Sequence, residues 1–455
     1  MEKDGKALKK GKVNSLPKLT FKDKEAGSYF IMGFANFADH QIIKGFIFLA
    51  AEIAYIAFMI MNGGDLLHGL YTLGTKKQGW VTEPGKLLPV LQSGDNSMLF
   101  LLYGIMTLVI TGVFIVVYLV NISSARKLLS LRRAGKRPKT FAQDFRSLGD
   151  TNFHGAMLTL PMLGILFVIV LPIIFMILIA FTNYDSNHQV PGNLFHWIGF
   201  TNFAAILGAN KLLSYTFMHV IGWTLVWALI ATFSNYFLGI IVALMINYKE
   251  IHLKAMWRSI LVTTIAIPQF ISLLVMQNMF SMYGPINELL VRLGLGRVDF
   301  LVNNATNARI VVLIVNLWIG IPYTMLITSG ILMNIPSEMY ESAKIDGASP
   351  VQIFFHITLP YVLFVTAPYL ITQFIANLNN FNVIFLLSGG GPTTTDYFQA
   401  GKTDLLVTWL YKLTVNNYDY NLASVIGIFS FIICAVTSLI AYHHTASYKR
   451  EEEFQ

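Results

Sequence analysis

The chain alternates long apolar stretches with polar connections. A helix needs about 20 apolar residues to cross a hydrocarbon core of about 30 Å. Eight stretches meet this requirement: 42–61, 98–120, 157–181, 217–247, 259–279, 309–332, 361–387 and 421–442. Only 12% of the residues are charged, whereas soluble domains carry about 25%. The sequence therefore predicts an all-α polytopic membrane protein with about eight transmembrane helices.

The distribution of Lys and Arg predicts the orientation of these helices. Residues 1–41 hold eight basic side chains, and the connection 121–156 holds eight more. The four alternate connections together also hold eight; they are 62–97, 182–216, 280–308 and 388–420. Because basic residues are enriched on the cytosolic side, we expect both termini and the connection 333–360 to be cytosolic. The net charge of +8 then faces the inner leaflet, and no nucleic-acid partner is expected.

The pattern divides the chain into four predicted segments. Residues 1–41 are expected to form a flexible, basic cytosolic tail. Residues 42–150 are expected to hold two accessory transmembrane helices and a basic linker that includes Arg126, Lys127, Arg137 and Lys139. A six-helix core is predicted over 151–445, and residues 446–455 form a second cytosolic tail. Pro268 and Pro322 lie inside predicted spans, where proline tends to kink a helix.

The connection between the sixth and seventh spans has the local signals of two short helices. Pro336 and Ser337 are suited to open the first helix, and Asp346-Gly347 can end it. Ser349 and Pro350 are suited to cap and begin the second, which we expect to end at Leu359-Pro360. Two short helices at an angle would form a stiff unit able to transmit a push.

This connection reads E-S-A-x3-G-x9-I-x-L-P over residues 341–360. It resembles the EAA loop of ABC importer permeases, which docks onto a cytosolic ATPase; the family has Ala where this chain has Ser342. The alternative is an ordinary connector between two helices. The resemblance implies that loop 334–360 couples to the ATPase, and that ATP and Mg are bound by that partner and by no cofactor site in this chain. The implied coupling residues are Glu341, Ser342, Ala343, Asp346, Gly347, Ile357, Leu359 and Pro360.

Five amide side chains lie in or beside the seventh span: Gln373, Asn377, Asn379, Asn380 and Asn382. Polar groups without partners are costly inside a membrane, so these amides need an explanation. Gln373, Asn377 and Asn380 are predicted to share one helix face. An amide both donates and accepts hydrogen bonds, which suits sugar hydroxyls. Amides also join membrane helices, and the residues alone do not decide between the two roles.

The sixth span adds Asn316, Trp318, Gly320 and Tyr323. An aromatic ring offers an apolar face to a sugar ring, and a tyrosine hydroxyl can form a hydrogen bond. The alternative is packing or an interfacial position. Counted along the helices, Tyr323 and Asn377 both fall near the middle of the membrane, where alternating access requires a site.

Four further stretches carry a more specific resemblance: Asn316-Leu-Trp-Ile-Gly-Ile-Pro-Tyr323, Asn377-Leu-Asn-Asn-Phe381, Gly389-Gly-Gly-Pro392 and Thr403-Asp-Leu-Leu-Val407. They resemble the larger permease subunit of bacterial maltose/maltodextrin importers, which can have Ser at Gln373 and Phe at Ala376. The resemblance implies partners: a second homologous permease subunit, two cytosolic ATPase subunits, an extracellular sugar-binding protein and an oligosaccharide. The implied substrate-binding residues are Trp318, Gly320, Tyr323, Gln373, Asn377 and Asn380.

Other function classes have weaker support in the sequence. An ion-coupled secondary carrier needs membrane-embedded acids and usually inverted repeats, but only Glu52 qualifies and no repeat is evident. Gly401-Lys402-Thr403 lacks the first glycine of a phosphate-binding loop. No catalytic constellation and no metal-ligand spacing is found. We therefore predict a permease subunit that is not itself an enzyme, with an ion-coupled carrier or a permease for a different oligosaccharide as alternatives.

Overall fold

The computed structural model describes residues 21–81, 88–136, 140–150, 153–248 and 250–443. Within them the regular secondary structure is almost entirely helical. The helices are α1 (Phe21–Phe30), α2 (Phe34–Ala38), α3 (Ile42–Phe58), α4 (Gly64–Thr72), α5 (Ser97–Arg133), α6 (Phe141–Leu148), α7 (Phe153–Ile165), α8 (Leu171–Ile179), α9 (Thr201–Ala204), α10 (Lys211–Asn247), α11 (Lys254–Ala266), α12 (Gln269–Met279), α13 (Pro285–Arg292), α14 (Ala305–Leu332), α15 (Ser337–Ile345), α16 (Pro350–Ile353), α17 (Leu359–Leu378), α18 (Phe381–Ser388), α19 (Leu406–Tyr411) and α20 (Tyr420–His443). Two short antiparallel strands, β1 (Gly79–Val81) and β2 (Val90–Gln92), pair with Trp80 opposite Leu91.

Seven stretches of helix in the described ranges are long and apolar enough to cross a membrane: Ile42–Thr72, Ser97–Arg133, Phe153–Ile179, Lys211–Asn247, Ala305–Leu332, Pro350–Ser388 and Tyr420–His443. The bent pair α11–α12 meets the same criterion when its two helices are taken together, which gives up to eight spans. Single π-helical turns at Met59–Gly63, Leu166–Val170 and Phe354–Thr358 join consecutive helices within three of these spans. The predicted all-α polytopic architecture with about eight transmembrane helices is confirmed.

The fifth predicted span, 259–279, is not one kinked helix. It breaks at Ile267-Pro268 into α11 and α12, whose axes differ by 93°. Proline has no amide hydrogen, and it disfavours helical backbone angles at the residue before it. Ile267 is accordingly extended, and Pro268 becomes the N-cap of α12. Pro322, by contrast, lies inside the uninterrupted α14.

The connection between the sixth and seventh spans forms as predicted over its first half. α15 begins at Ser337, and Gly347 ends the turn after it with φ of +78°. The Ser349 Oγ accepts a hydrogen bond from the Gln352 amide at 3.3 Å, while the Gln352 side chain accepts one from the Ser349 amide at 2.8 Å. This reciprocal capping begins α16 at Pro350.

The predicted end of the second short helix at Leu359-Pro360 is wrong. The helix runs on from α16 through the π-helical turn Phe354–Thr358 into α17. A π-helical turn shifts the hydrogen-bond register by one residue, which removes the need for the proline amide that a regular turn would use. The second arm of this connection is therefore continuous with the seventh span.

The chain divides into two compact units, Met1–Met176 with Val190–His196 and Ile177–Gln189 with Trp197–Gln455. In the first unit, residues 21–30 and 34–38 are helical rather than a flexible tail. Asn121 on α5 bonds both the Gly33 amide and the Ser28 carbonyl, at 2.9 and 3.1 Å. Glu52 accepts a hydrogen bond from the Met32 amide at 2.8 Å. Residues 1–20, Arg137, Lys139 and the tail 446–455 lie outside the described residues.

The second unit is built around α10, which packs along α14 and α17. Its core includes the fully buried Trp227 on α10 and Val312 on α14. Gly239 allows close approach between α10 and α14, because a methyl group there would overlap Thr324. This packing fixes the facing sides of three long helices, and the candidate site lies between them.

Candidate functional site

A polar cavity of about 420 Å³ lies inside the second unit, a volume within the range of ligand sites. Its lining contains six amide side chains, three tyrosines and three threonines, and no charged side chain. The lining residues are Thr232, Asn235, Tyr236, Thr264, Ile265, Ala266, Ile267, Pro268, Gln269, Asn316, Ile319, Gly320, Tyr323, Thr324, Tyr369, Leu370, Gln373, Ala376, Asn377 and Asn380. Such a lining can bind a neutral molecule through many hydrogen bonds.

Two breaks in the helices open onto this cavity. One is the sharp turn at Ile267-Pro268, and the other separates α17 from α18 at residues 379–380. The outer pieces α12 and α18 pack together, and Asn382 on α18 donates a hydrogen bond to Gln269 on α12 at 3.2 Å. Helix ends carry backbone groups without helical partners, so the breaks add hydrogen-bonding capacity to the cavity wall.

The structure brings five of the six predicted substrate-binding residues to this cavity: Gly320, Tyr323, Gln373, Asn377 and Asn380. Trp318 is not among the lining residues, and 54% of its surface is exposed. The helical repeat explains the difference, because two residues along α14 correspond to a rotation of about 200°. Trp318 therefore lies on the opposite side of α14 from Gly320.

The three amides at the end of the seventh span do not share one helix face as predicted. α17 ends at Leu378, and Asn380 is the N-cap of α18, accepting a hydrogen bond from the Val383 amide at 3.2 Å. The chain break, rather than helical spacing, brings Asn380 beside Asn377. Its Nδ2 donates a hydrogen bond to the Asn377 Oδ1 at 3.3 Å.

The side chain of Asn377 is used mainly to join helices. Its Nδ2 donates to the Thr232 hydroxyl on α10 at 2.9 Å, and its backbone carbonyl accepts from the Trp227 indole at 3.1 Å. Only 7% of the residue is exposed. Of the two roles that the sequence left open, these contacts favour the connection between α10 and α17.

Tyr323 and Gln373 have the opposite character. Within the described ranges neither side chain forms a hydrogen bond, and 45% of the Tyr323 surface is exposed. The Tyr323 ring lies 6.2 Å from that of Tyr369, whose hydroxyl is near Thr324 at 3.4 Å. The Tyr323 hydroxyl and the Gln373 amide are thus free to bind a molecule in the cavity.

Sequence reasoning missed several lining residues, of which Asn235 on α10 and Gln269 on α12 are the most polar. A signal for Asn235 was present, because it is an amide in the middle of a 37-residue apolar helix. The cost of burying a polar group in a membrane, which drew attention to the seventh span, applies equally there. The same signal applied to Gln269, an amide inside the predicted span 259–279, but its place in the cavity wall depends on the break before it.

A second ordered region lies in the connection 389–419, outside the spans. Asp404 is 1% exposed and pairs with the Lys412 ammonium at 2.5 Å. Burial raises the pKa of Asp404, and the Lys412 charge opposes that shift. Lys402 belongs to the stretch Gly401-Lys402-Thr403, which does not match a phosphate-binding loop. It pairs with Asp396 at 2.6 Å and lowers the pKa of that carboxyl to about 2. Both lysines are thus committed to carboxylates.

A groove of about 360 Å³ lies between the two arms of the connection α15–α16. Four of the eight predicted coupling residues line it: Ala343, Asp346, Gly347 and Ile357. Glu341, Ser342 and Pro360 are exposed, and Leu359 is half-buried. In the described part of the chain, no cluster of His, Cys, Asp and Glu could hold a metal ion.

Comparisons with known proteins agree with this architecture. Residues 235–450 match the family described as the binding-protein-dependent transport system inner membrane component. The maltodextrin transport system permease protein MdxF of Bacillus subtilis (strain 168) is 35% identical, covering 97% of this chain and 100% of its own length. The galactooligosaccharides transport system permease protein GanP of the same organism is 34% identical, covering 92% and 97%.

A solved structure shares the fold. The bacterial ABC transporter involved in the import of the acidic polysaccharide alginate includes a chain that is 26% identical, with a TM-score of 0.54. The match covers 66% of this chain and 96% of that one. Similar proteins are thus named for the transport of neutral sugars and of an acidic polysaccharide.

Proposed function

Because the chain belongs to the permease family of bacterial ABC sugar importers, which work with a substrate-binding protein, we propose that its cavity carries a neutral oligosaccharide of the maltodextrin type. The observation that carries this proposal is the lining itself, with six amides, three tyrosines and no charged side chain. As a permease subunit, the protein is a multi-pass bacterial membrane protein and not an enzyme.

Because the cavity lining has no charged side chain, it favours neutral sugars over acidic ones. A uronate polymer such as alginate carries one carboxylate per sugar unit, and burying an unpaired carboxylate is strongly unfavourable. The described cavity offers no Lys, Arg or His to such a group. Amides and hydroxyls instead match the mixed donors and acceptors of neutral sugars. Relatives named for maltodextrin and galactooligosaccharide transport are consistent with this choice.

Coupling to ATP hydrolysis would use the connection 334–360. The groove between α15 and α16 suits a protruding segment of a cytosolic ATPase, and the exposed Glu341 and Ser342 directly precede its lining residue Ala343. From Pro350 the helix continues to Gln373 in the cavity wall, a length of about 35 Å. A push on the groove would therefore reach the cavity through one helix. ATP and Mg would be bound by the partner.

The partners proposed here are those that the family resemblance implies. A second homologous permease subunit would complete the translocation path, two ATPase subunits would bind on the cytosolic side, and an extracellular protein would deliver the sugar. The uneven distribution of basic residues supports cytosolic termini in the bacterial plasma membrane. Cysteines placed at the exposed Asn193 and Thr393 should react with an impermeant reagent in intact cells, and one at Lys136 should not. Labelling of a cysteine at Lys136 would contradict the proposed orientation of the helices.

The experiment for the function uses the complete complex in proteoliposomes with its binding protein. Uptake and ATPase stimulation are measured across maltodextrins, galactooligosaccharides and uronate oligosaccharides. We expect stimulation by neutral α-glucans and none by uronates. Uptake driven by an ion gradient without ATP would contradict the ATP-coupled mechanism, and stimulation by uronates would contradict the proposed substrate.

A further inference from the structure

We propose that Asn235 is a specificity-determining residue that binds a hydroxyl of the transported sugar, and that Gly320 lacks a side chain in order to make room for it. This inference rests on the proposed function, since it assigns a role within the same cavity. Asn235 comes from α10 and Gly320 from α14, so the two residues face each other across the packed pair of helices.

Two polar atoms in the cavity wall are buried and have no hydrogen-bond partner. They are the Oδ1 of Asn235 and the Nδ2 of Asn316. Buried polar atoms in native proteins nearly always have a partner, and each exception calls for an explanation. Both atoms belong to residues that line the same cavity, so a rotation of either amide would turn it toward a bound molecule that supplies the missing partner.

The two atoms are chemically complementary to a sugar. Asn235 Oδ1 is an acceptor, and Asn316 Nδ2 is a donor. A hydroxyl donates one hydrogen bond and accepts others, so one hydroxyl, or two on neighbouring sugar carbons, satisfies both atoms. A deoxy or methylated position cannot donate to Asn235 and leaves its oxygen buried without a partner. The site should therefore reject an analogue that lacks this hydroxyl.

The position of Asn235 depends on Gly320. A methyl group built on Gly320 would overlap the whole amide of Asn235, so the amide lies directly over the backbone of α14. Any side chain at residue 320 would push the amide away. The role that this assigns to Gly320 is to leave space for Asn235, and direct contact with the sugar is not required.

The test measures the transport KM of the complete complex for a neutral oligosaccharide and a series of its monodeoxy analogues. We expect the wild-type complex to discriminate about tenfold against one analogue, or against two that lack adjacent hydroxyls. Asn235→Ala should remove that discrimination and leave discrimination at the other positions unchanged. Ser234→Ala is the matched control, because its hydroxyl bonds the Ile230 carbonyl of its own helix and does not line the cavity.

The second arm tests the spatial role of Gly320. Gly320→Ala should raise the KM for the parent sugar about as much as Asn235→Ala does, because it displaces the same amide. In the double variant the added methyl has no amide to displace, so the effects should not add. Thermal stability of each purified complex is measured in parallel to separate affinity from folding.

The outcomes separate this inference from the proposed function. A wild-type complex that transports no neutral oligosaccharide refutes the function itself. If the wild type transports the sugar but Asn235→Ala keeps every deoxy preference, water alone satisfies the Asn235 oxygen and the inference is overturned. Additive losses in the double variant would overturn the role of Gly320.

Discussion

Asn377 offers a direct test of how the cavity wall is held together. Its side chain joins three elements: Nδ2 bonds Thr232 on α10 at 2.9 Å, and Oδ1 accepts from Asn380 at the start of α18 at 3.3 Å. Asn377→Ala removes both hydrogen bonds and leaves the Thr232 hydroxyl and the Asn380 amide without this partner. We therefore expect Asn377→Ala to lower the stability of the protein more than its transport activity.

The expected magnitude follows from those two bonds. Interhelical hydrogen bonds in a membrane contribute about 0.6 kcal/mol on average and at most about 1.7 kcal/mol. Loss of both should lower the free energy of unfolding by about 1–3 kcal/mol. Because only 7% of Asn377 is exposed, transport per folded molecule should change less than twofold, which corresponds to a loss of under about 0.5 kcal/mol of sugar binding.

The assay measures thermal unfolding and sugar uptake on one preparation of the purified complex. A double-mutant cycle with Thr232→Ala isolates the interhelical bond and should give a coupling energy of about 0.5–1.5 kcal/mol. A wild-type unfolding temperature combined with a tenfold loss of uptake would refute the reasoning, since Asn377 would then act on the sugar and not on the helices.

Three further changes test other parts of the structure. Tyr323→Phe removes a free hydroxyl, so KM should rise about three- to tenfold at unchanged thermal stability. Gly347→Pro is incompatible with φ of +78° and should abolish ATPase assembly while the protein remains in the membrane; normal pull-down of the ATPase would contradict this. Lys412→Met leaves Asp404 buried and unpaired, which should destabilise the fold by about 3–5 kcal/mol at neutral pH. Burial raises the pKa of Asp404. The destabilisation by Lys412→Met should therefore diminish as the pH falls through the raised pKa, because Asp404 then binds a proton. A destabilisation that does not depend on pH would argue against an ionised Asp404.

The sequence predicted the features that depend on local chemistry. Hydropathy located the membrane helices, and the turn at Gly347 followed from the freedom of glycine at positive φ. The cap at Ser349 followed from side-chain hydrogen bonding. Each of these depends on residues within a few positions of one another, so the pattern in the sequence contains the cause.

Features that depend on packing between helices were not predictable in the same way. The break at Pro268 was expected as a kink, but its size of 93° depends on how α12 packs against α18. Helical spacing placed Asn380 on the face of Asn377, whereas the chain ends a helix between them. Trp318 was placed near the site by resemblance, and only the rotation of α14 shows that it faces away.

The broken helices and the uncharged lining have a common physical basis. A continuous membrane helix satisfies its own backbone and offers a ligand only side chains, whereas a break exposes backbone groups that need partners. Ile267 and Pro268 lie at such a break in the cavity wall, beside an outer piece of helix tied to α18 through Gln269. A neutral sugar can form hydrogen bonds with these backbone groups without bringing a charge into the membrane. When the sugar dissociates, water can replace it as their hydrogen-bond partner. Breaks of this kind therefore favour reversible binding of a polar, uncharged molecule, which is what a transport site requires.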